Sequence, residues 1–552
     1  MIDPSATRNA RLGQCAAFVA FLLVLLAPAP DALPEPAQRA AAVAVAMGVL
    51  WLTQAVPLGA TSLIPLAAFP LLGIQSAKNV SQSYINESVF LYLGGFIVAL
   101  GIERWGLHRR MALHVVRAVG AGPRRIVLGF ALATGFLSMW MSNTAATMLM
   151  IPIALALLNS LDELLARNEG DPTAASSDKE RHALAVAVML AVAYSASIGG
   201  MTTLVGTPTN IAFRQIYAAT FPAAPEISAG QWMLAFVPLG AVFLLVMWIA
   251  LTFRLKPIPG AERLERAFFT ERLRELGSPT KAERRMLVVF VATAVLWLFR
   301  TPFSLSGDPE AAALIPGWGV AVERMLVAIG VPADAASGMV TDSTVAMTMA
   351  ALLFFIPSGT PPQRPDDAVV RSPRSSRANL MDWPTANRLP WEVLLLFGGG
   401  FALADAFKDT GLSQFIGEWF ASTLGGQPMW LIIAATCLLL TVLSEFASNV
   451  ATASILLPIL APAAVRMDMD PRLVMVAATL AASSGFVLPA ATPPNALVFT
   501  SGRVSTLEMA RRGFVLDLVG IVLVTLAVLY LFAPLTGIEP GTVPSWAAGT
   551  GR

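Results

Sequence analysis

Apolar runs of membrane-crossing length alternate with short polar loops along most of this chain. Ala16–Pro28, Ala40–Val56, Ala183–Ile198, Trp232–Phe253, Met286–Phe299 and Phe514–Phe532 approach or reach the ~20 residues a helix needs to span a bilayer. Inside lipid every backbone N–H and C=O must be paired within the segment, so runs of this kind predict helices. The pattern predicts an all-α polytopic membrane protein with about eleven transmembrane helices. Two apolar stretches carry a polar pair at their centre: "MSNTAATMLMIP" (Met141–Pro152) and "ASNVATASILLP" (Ala447–Pro458). Both are expected to be re-entrant hairpins, at about 126–158 and 429–465, that enter and leave on the same side.

Further blocks recur in the same order. "VLWLTQAVP" (Val49–Pro57) resembles "VLWLFRTPF" (Val295–Phe303), and "LGGFIVALGIERWGL" (Leu93–Leu107) resembles "GGGFALADAFKDTGL" (Gly398–Leu412). The Ser-Asn segments come next, and then "GGMTTLVGTPTNIAF" (Gly199–Phe213) answers "SGFVLPAATPPNALVF" (Ser484–Phe499). The order predicts two copies of one unit, over residues 39–253 and 286–537. Residues 1–38 form an N-terminal segment with the first helix, 254–285 an amphipathic linker and 538–552 a tail. An odd number of spans per copy makes the second copy inverted in the membrane. Secondary transporters are often built so, with the substrate held where the copies meet.

Composition agrees. Of 552 residues, 56% are hydrophobic and 13% charged, against about a quarter charged in soluble domains. The net charge of +2 gives no reason to expect a nucleic-acid partner. Cys15 and Cys437 are too few for a disulfide framework or a cysteine metal cluster. The first apolar run follows Arg8 and Arg11 but lacks a small-residue cleavage site, which predicts a retained helix. Arg104, Arg109, Arg110, Arg117, Arg124 and Arg125 make their loop cytoplasmic, as do the basic segments Arg254–Arg285 and Pro361–Arg388. Asp31–Glu35, Asp308–Asp334 and Asp405–Glu418 are acidic or balanced and read as external. The N-terminus is therefore expected inside and the C-terminus outside, in a bacterial inner membrane.

The chemistry lies at the polar interruptions. Pro208, Pro493 and Pro494 stand within apolar helices. Each removes a backbone donor and frees carbonyls in the turn before it, near Gly206 and Ala491, while opening a helix N-terminus just after. Free carbonyls with Ser, Thr and Asn oxygens suit Na⁺, and helix N-termini suit carboxylate or sulfate oxygens. A lone Ser, Asn or Thr in a membrane helix is more often interhelical glue, but four such segments arranged in pairs exceed what packing needs. Glu445, three residues before Ser448, is balanced between a functional role and a carboxylate satisfied by backbone donors or an arginine. Trp140 is expected to pack, Gly94, Gly95, Gly398, Gly399 and Gly400 to serve close helix contact, and Arg300 and Asp405 to be boundary charges. His108, His114 and His182 lack metal-ligand spacing.

With "SNTAAT", "GTPTN", "DWPTANRLPWEVLLLFGGGFALA", "SNVATASILLP" and "ATPPNALVF" in that order, residues 39–537 resemble the divalent anion/sodium symporter family. The resemblance implies a homodimer whose protomers each have a fixed scaffold domain and a transport domain that moves like an elevator. It implies substrate contacts at Asn143, Thr144, Thr207, Pro208, Asn449, Thr492 and Pro493. It implies sodium ligands at Ser138, Ser142, Asn143 and the Gly206 backbone, and at Ser444, Ser448, Asn449 and the backbones of Ala447 and Ala491. Ser138 and Ser142 stand one helical turn apart, as do Ser444 and Ser448, so each pair can face one point. The second tip departs from the family by placing Val450 where the first has Thr144, removing a hydroxyl donor.

The implied function is sodium-coupled symport of a small divalent anion, a C4-dicarboxylate such as succinate, malate or fumarate, with sodium as coupling ion and no cofactor. Sulfate or citrate transport and sodium-independent dicarboxylate exchange stay open on the same scaffold. An intramembrane enzyme would need a nucleophile–base pair or metal ligands at membrane depth, and the sequence has neither H-E-x-x-H nor G-x-S-x-G. A passive channel fits the hairpins poorly.

Overall fold

A computed structural model describes residues 4–28, 30, 33–85, 87–166, 174–257, 261–302, 315–336, 338–359, 379–424, 426–539 and 541–548. Among them the regular structure is helical, with one isolated β-bridge between Pro357 and Asn379 and no strand. The chain opens with α1 (Pro4–Leu26), α2 (Glu35–Thr53), α3 (Leu58–Thr61), α4 (Ile64–Leu71), α5 (Ala77–Tyr84), α6 (Glu87–Arg104) and α7 (Leu107–Val119). Next come α8 (Pro123–Ser138), α9 (Asn143–Ala166), α10 (Ala174–Gly200), α11 (Pro208–Thr220) and α12 (Ala229–Thr252). The connector α13 (Ala261–Glu275) leads to α14 (Lys281–Leu298), α15 (Trp318–Ala328), α16 (Ala333–Ala336), α17 (Asp342–Leu353) and α18 (Trp383–Ala386). Then follow α19 (Trp391–Asp409), α20 (Leu412–Leu424), α21 (Met429–Phe446), α22 (Asn449–Arg466), α23 (Pro471–Ala482), α24 (Pro493–Thr500) and α25 (Thr506–Ala527), with short helical turns at Val528–Phe532, Ala533–Leu535 and Ser545–Ala548 after it.

Seven helical stretches among the described residues are long and apolar enough to cross a bilayer, including Lys179–Gly200, Ala229–Thr252 and Thr506–Leu535. Length alone finds fewer than the eleven spans expected. One reason is that α23 and α24 are separated by an unwound stretch, so neither is long enough by itself. Helix starts follow local chemistry: Ser228 with Gln231, Thr280 with Glu283 and Ser505 with Glu508 form reciprocal capping boxes that begin α12, α14 and α25.

Burial separates the inner helices from the rim. The apolar part of α10 is 94% buried, whereas the corresponding parts of α12 and α25 are only 39% buried. Val242, Leu245, Ile249, Val515, Leu518 and Val522 are exposed on those two helices, the pattern of a lipid-facing surface. In the interior α10 packs along α8, and α21 and α22 flank α23. Elsewhere α6 lies on α17, where a side chain at Gly94 would meet the Ala346 carbonyl carbon at 2.6 Å.

The connector is amphipathic, as its sequence predicts. Phe269 of α13 is buried, its ring 6.3 Å from that of Phe130, and the buried Glu265 accepts a 2.6 Å hydrogen bond from the Gly122 amide. Arg110 of α7 fixes the far end, donating to the carbonyls of Leu276 and Gly277 and pairing with Glu283 at 3.0 Å. Arg300 is a buried network residue, 2.6 Å from Asp342 and 3.1 Å from Glu226. Asp405 accepts from Ser83 at 2.5 Å, and Trp140 packs edge-on against Phe290. The start of the external loop expected at Asp308–Asp334, through position 314, most of the cytoplasmic loop expected at Pro361–Arg388 and part of the tail lie outside the described residues.

Candidate functional site

Each Ser-Asn pair stands where a short turn leads into a new helix. Met139–Ser142 joins α8 to α9, and Ala447–Ser448 joins α21 to α22. The proline breaks are equally local. Residues 201–207 are unwound before Pro208 opens α11, and 483–492 before Pro493 opens α24. Four helix N-termini, at Asn143, Pro208, Asn449 and Pro493, therefore present amides that have no partner inside their own helix.

Around the first tip oxygens gather. Ser138 Oγ donates to the Ala196 carbonyl at 2.6 Å and lies 2.7 Å from one end of the Asn143 carboxamide. That end of the Asn143 carboxamide also lies 3.1 Å from Ala196 O and 3.3 Å from Gly206 O. Three oxygens thus converge on one end of the Asn143 carboxamide, an arrangement its amide nitrogen satisfies after a half-turn of the side chain. Two glycines make the approach possible. A Cβ on Gly200 would sit 2.2 Å from Asn143 Oδ1, and one on Gly206 would sit 2.4 Å from the Gly200 carbonyl oxygen. Ser142 Oγ accepts from the Ala145 amide at 3.2 Å, so it serves as the cap of α9.

The second tip is related but looser. Ser444 is fully buried, yet its hydroxyl donates to Thr441 O at 2.9 Å and does not reach Asn449. Asn449 Oδ1 is buried without a hydrogen-bond partner. Gly485 and Ala491 lie beside Ser444, a Cβ on Gly485 falling 3.2 Å from Ala491 Cβ and 3.5 Å from Ser444 O. Ser448 makes no side-chain cap to α22, which leaves its hydroxyl available to a guest.

The two halves interlock at these places. α24 packs on α9 and α10, while α11 packs on α22 and α23, so the short arm of each broken helix lies against the hairpin of the other half. The breaks touch directly: Thr209 and Ser483, both buried, are joined hydroxyl to hydroxyl at 2.7 Å. Thr207 and Thr492 are buried, Asn143, Thr144, Pro208 and Asn449 half-buried, and Pro493 exposed. Thr492 caps α24 by accepting from the Asn495 amide at 3.3 Å. Val450, where the first half has Thr144, is buried.

Sequence reasoning gave no role to two residues that build both breaks. Asn210 Nδ2 donates to the carbonyls of Gly200 and Thr203, ten and seven residues earlier. Asn495 Nδ2 donates to Gly485 and Leu488, at the same separations of ten and seven. These amides take up carbonyls that unwinding leaves unpaired. The signal was present in the Asn that follows each Thr-Pro by two residues. Of the two readings of Glu445, the backbone one is realised: it accepts from the amides of Val487 and Leu488.

Residues 8–538 match the profile of the sodium:sulfate symporter transmembrane region. The sodium-dependent dicarboxylate transporter SdcS of Staphylococcus saprophyticus is 37% identical over 94% of this chain and 91% of its own length. Its namesake from Staphylococcus aureus is 36% identical over 94% and 90%. Among solved structures, the Alcanivorax borkumensis YdaH transporter superposes with a TM-score of 0.50 at 16% identity, covering 84% of this chain and 88% of that one. Neisseria gonorrhoeae MtrF gives 0.51 at 14% identity over 94% and 99%, and both likenesses concern the fold alone. A profile over nearly the whole chain and relatives above a third identical along nine-tenths of it lead to one conclusion: the chain belongs to the divalent anion/sodium symporter family and is a multi-pass membrane transporter, not an enzyme.

Proposed function

We propose that this protein is a sodium-coupled symporter of a C4-dicarboxylate such as succinate, malate or fumarate. The observation that carries the reading is the convergence of Ser138 Oγ, Ala196 O and Gly206 O on one end of Asn143, an all-oxygen setting suited to a hard cation. That the curated relatives are described as sodium-dependent dicarboxylate transporters supports it.

In this reading Ser138, Ser142, Asn143 and the Gly206 carbonyl hold one sodium ion. Ser444, Ser448, Asn449 and the carbonyls of Ala447 and Ala491 hold another. The dianion lies between them, against Asn143, Thr144, Thr207, Pro208, Asn449, Thr492 and Pro493. No Lys, Arg or His occurs in residues 137–152, 196–213, 442–458 or 483–500. Each helix N-terminus offers only about half a positive charge. Sodium therefore binds first and offsets the double negative charge, lowering the cost of carrying it through hydrocarbon. The two units are inverted repeats, and a transport domain containing both hairpins and both broken helices moves as an elevator within a homodimer. The chain sits in a cell inner membrane with a cytoplasmic N-terminus and a periplasmic C-terminus.

Sulfate keeps a place as second reading because Val450 removes one hydroxyl from the second tip. The deciding experiment is uptake of labelled succinate, citrate and sulfate by proteoliposomes with and without an inward sodium gradient. Succinate should accumulate only with sodium, and Asn143→Ala or Asn449→Ala should abolish accumulation in folded protein. Sodium-indifferent succinate uptake would remove the coupling, and uptake confined to sulfate would remove the dicarboxylate.

A further inference from the structure

Met139 follows Ser138 as Glu445 follows Ser444, and both positions are tied to the unwound stretch of their own half. In the first half the Thr203 hydroxyl donates to the Met139 carbonyl at 2.5 Å. In the second the Leu488 amide donates to Glu445 Oε2 at 2.7 Å. Thr203 lies three residues after Gly200, and Leu488 three after Gly485. The same two places are therefore joined, with the chemistry exchanged: a side chain of the break holds the backbone of the hairpin in one half, and a side chain of the hairpin holds the backbone of the break in the other.

The second half extends this tether. Glu445 Oε1 also accepts from the Val487 amide at 2.9 Å, and Asp517 of α25 accepts from the Phe486 amide at 3.3 Å. Three consecutive amides are thus directed into two buried carboxyl groups, which lie within hydrogen-bonding reach of each other. With the amides committed there and Asn495 holding the carbonyls of Gly485 and Leu488, the stretch leading to Ala491 has little freedom left.

We propose that Glu445, braced by Asp517, is a positioning residue for the second cation site: it pins the unwound stretch to the hairpin tip, so that Gly485 and Ala491 stay beside Ser444. The inference rests on the sodium reading above. It assigns Glu445 a mechanical part and not that of a charge facing the ion.

The first half supplies the test. Wild type, Glu445→Met, Glu445→Gln, Leu488→Thr and the pair Glu445→Met with Leu488→Thr are purified and checked for monodispersity. Two quantities are read: the sodium-induced rise in melting temperature without substrate, and the sodium concentration for half-maximal succinate uptake. Glu445→Met should raise the half-saturating sodium concentration roughly tenfold or more, the scale of a lost hydrogen bond to a charged group. The KM for succinate at saturating sodium should stay nearly unchanged. Adding Leu488→Thr should recover most of that loss, because its hydroxyl can reach the carbonyl at position 445 as Thr203 reaches that of Met139. Glu445→Gln, which keeps one acceptor, should fall between. A sodium response retained in Glu445→Met overturns the positioning role. So does a pair variant as impaired as Glu445→Met while Glu445→Gln is equally impaired, since a charge would then be what matters. Absence of any sodium response in the wild type would instead overturn the sodium reading and this inference with it.

Discussion

A side chain at Gly206 would meet the Gly200 carbonyl oxygen at 2.4 Å and the Ser138 carbonyl oxygen at 2.9 Å, all of it backbone that cannot swing aside. Overpacking of this kind costs ~1–3 kcal/mol. Gly206→Ala should therefore weaken sodium-dependent uptake roughly tenfold or more while the protein still elutes as folded, as read by initial rates against sodium concentration. The paired Asn residues make a different prediction, about stability. Asn495→Leu leaves the carbonyls of Gly485 and Leu488 unpaired in the interior, and interhelical polar contacts in membranes are worth ~1–2 kcal/mol. A fall in melting temperature without sodium is expected, and an unchanged value would deny the Asn its part in holding the break. At this scale the sequence was readable where polarity was out of place, as with Ser138, Asn143 and Pro208. It was silent on Ala196 and Asp517, because a backbone carbonyl has no signature and a carboxyl group finds its amides only through the fold.

Hairpins and broken helices could be foreseen as elements because prolines and Ser-Asn pairs interrupt otherwise apolar runs, and helix physics leaves such interruptions few outcomes. Over the second hairpin expected at 429–465 the chain forms two helices, Met429–Phe446 and Asn449–Arg466. What periodicity could not give is which element lies against which, and so the packing of α24 on α9 and of α11 on α22 came only from the structure. Junctions outside the bilayer carry charge instead. Asp382 caps α18 and pairs with Arg104 at the end of α6. Partial burial alone would raise its carboxyl, but hydrogen bonds from Thr385 and the Arg104 guanidinium outweigh that and hold it below the ordinary carboxylate value. A lowered folded-state value means stability present above the unfolded value near 4 and lost as pH falls through the folded one. Asp382→Asn should therefore lower the melting temperature at pH 7, and the difference from wild type should begin to shrink only as pH falls below about 4. With its side chain 46% exposed, the effect should stay under ~1 kcal/mol. A difference that does not shrink as the pH is lowered would mean the side chain acts by packing and not by charge.

At the scale of the whole molecule, the account requires two units of opposite orientation. Residues of the connector α13 and of the stretch before the second hairpin then face opposite sides of the membrane. In a variant with Cys15 and Cys437 replaced by serine, single cysteines introduced by Arg274→Cys in α13 and Gln414→Cys in α20 test this. Both positions are exposed. An impermeant maleimide added outside intact spheroplasts should label the second and spare the first; labelling of both or of the first alone would contradict the orientation. The recurrence of four blocks in one order is the sequence sign of the proposed duplication, since separate copies would keep the residues their breaks need. The exchanged tether at Met139 and Glu445 was not, because the two halves solve the same mechanical problem with different atoms.

Whether both halves contribute to one site is best tested by an experimental structure of the protein with sodium and succinate. The dianion should lie between the two hairpin tips, in contact with Asn143 and Asn449 and with a cation on either side. Succinate bound to one tip alone, or elsewhere in the molecule, would contradict the account.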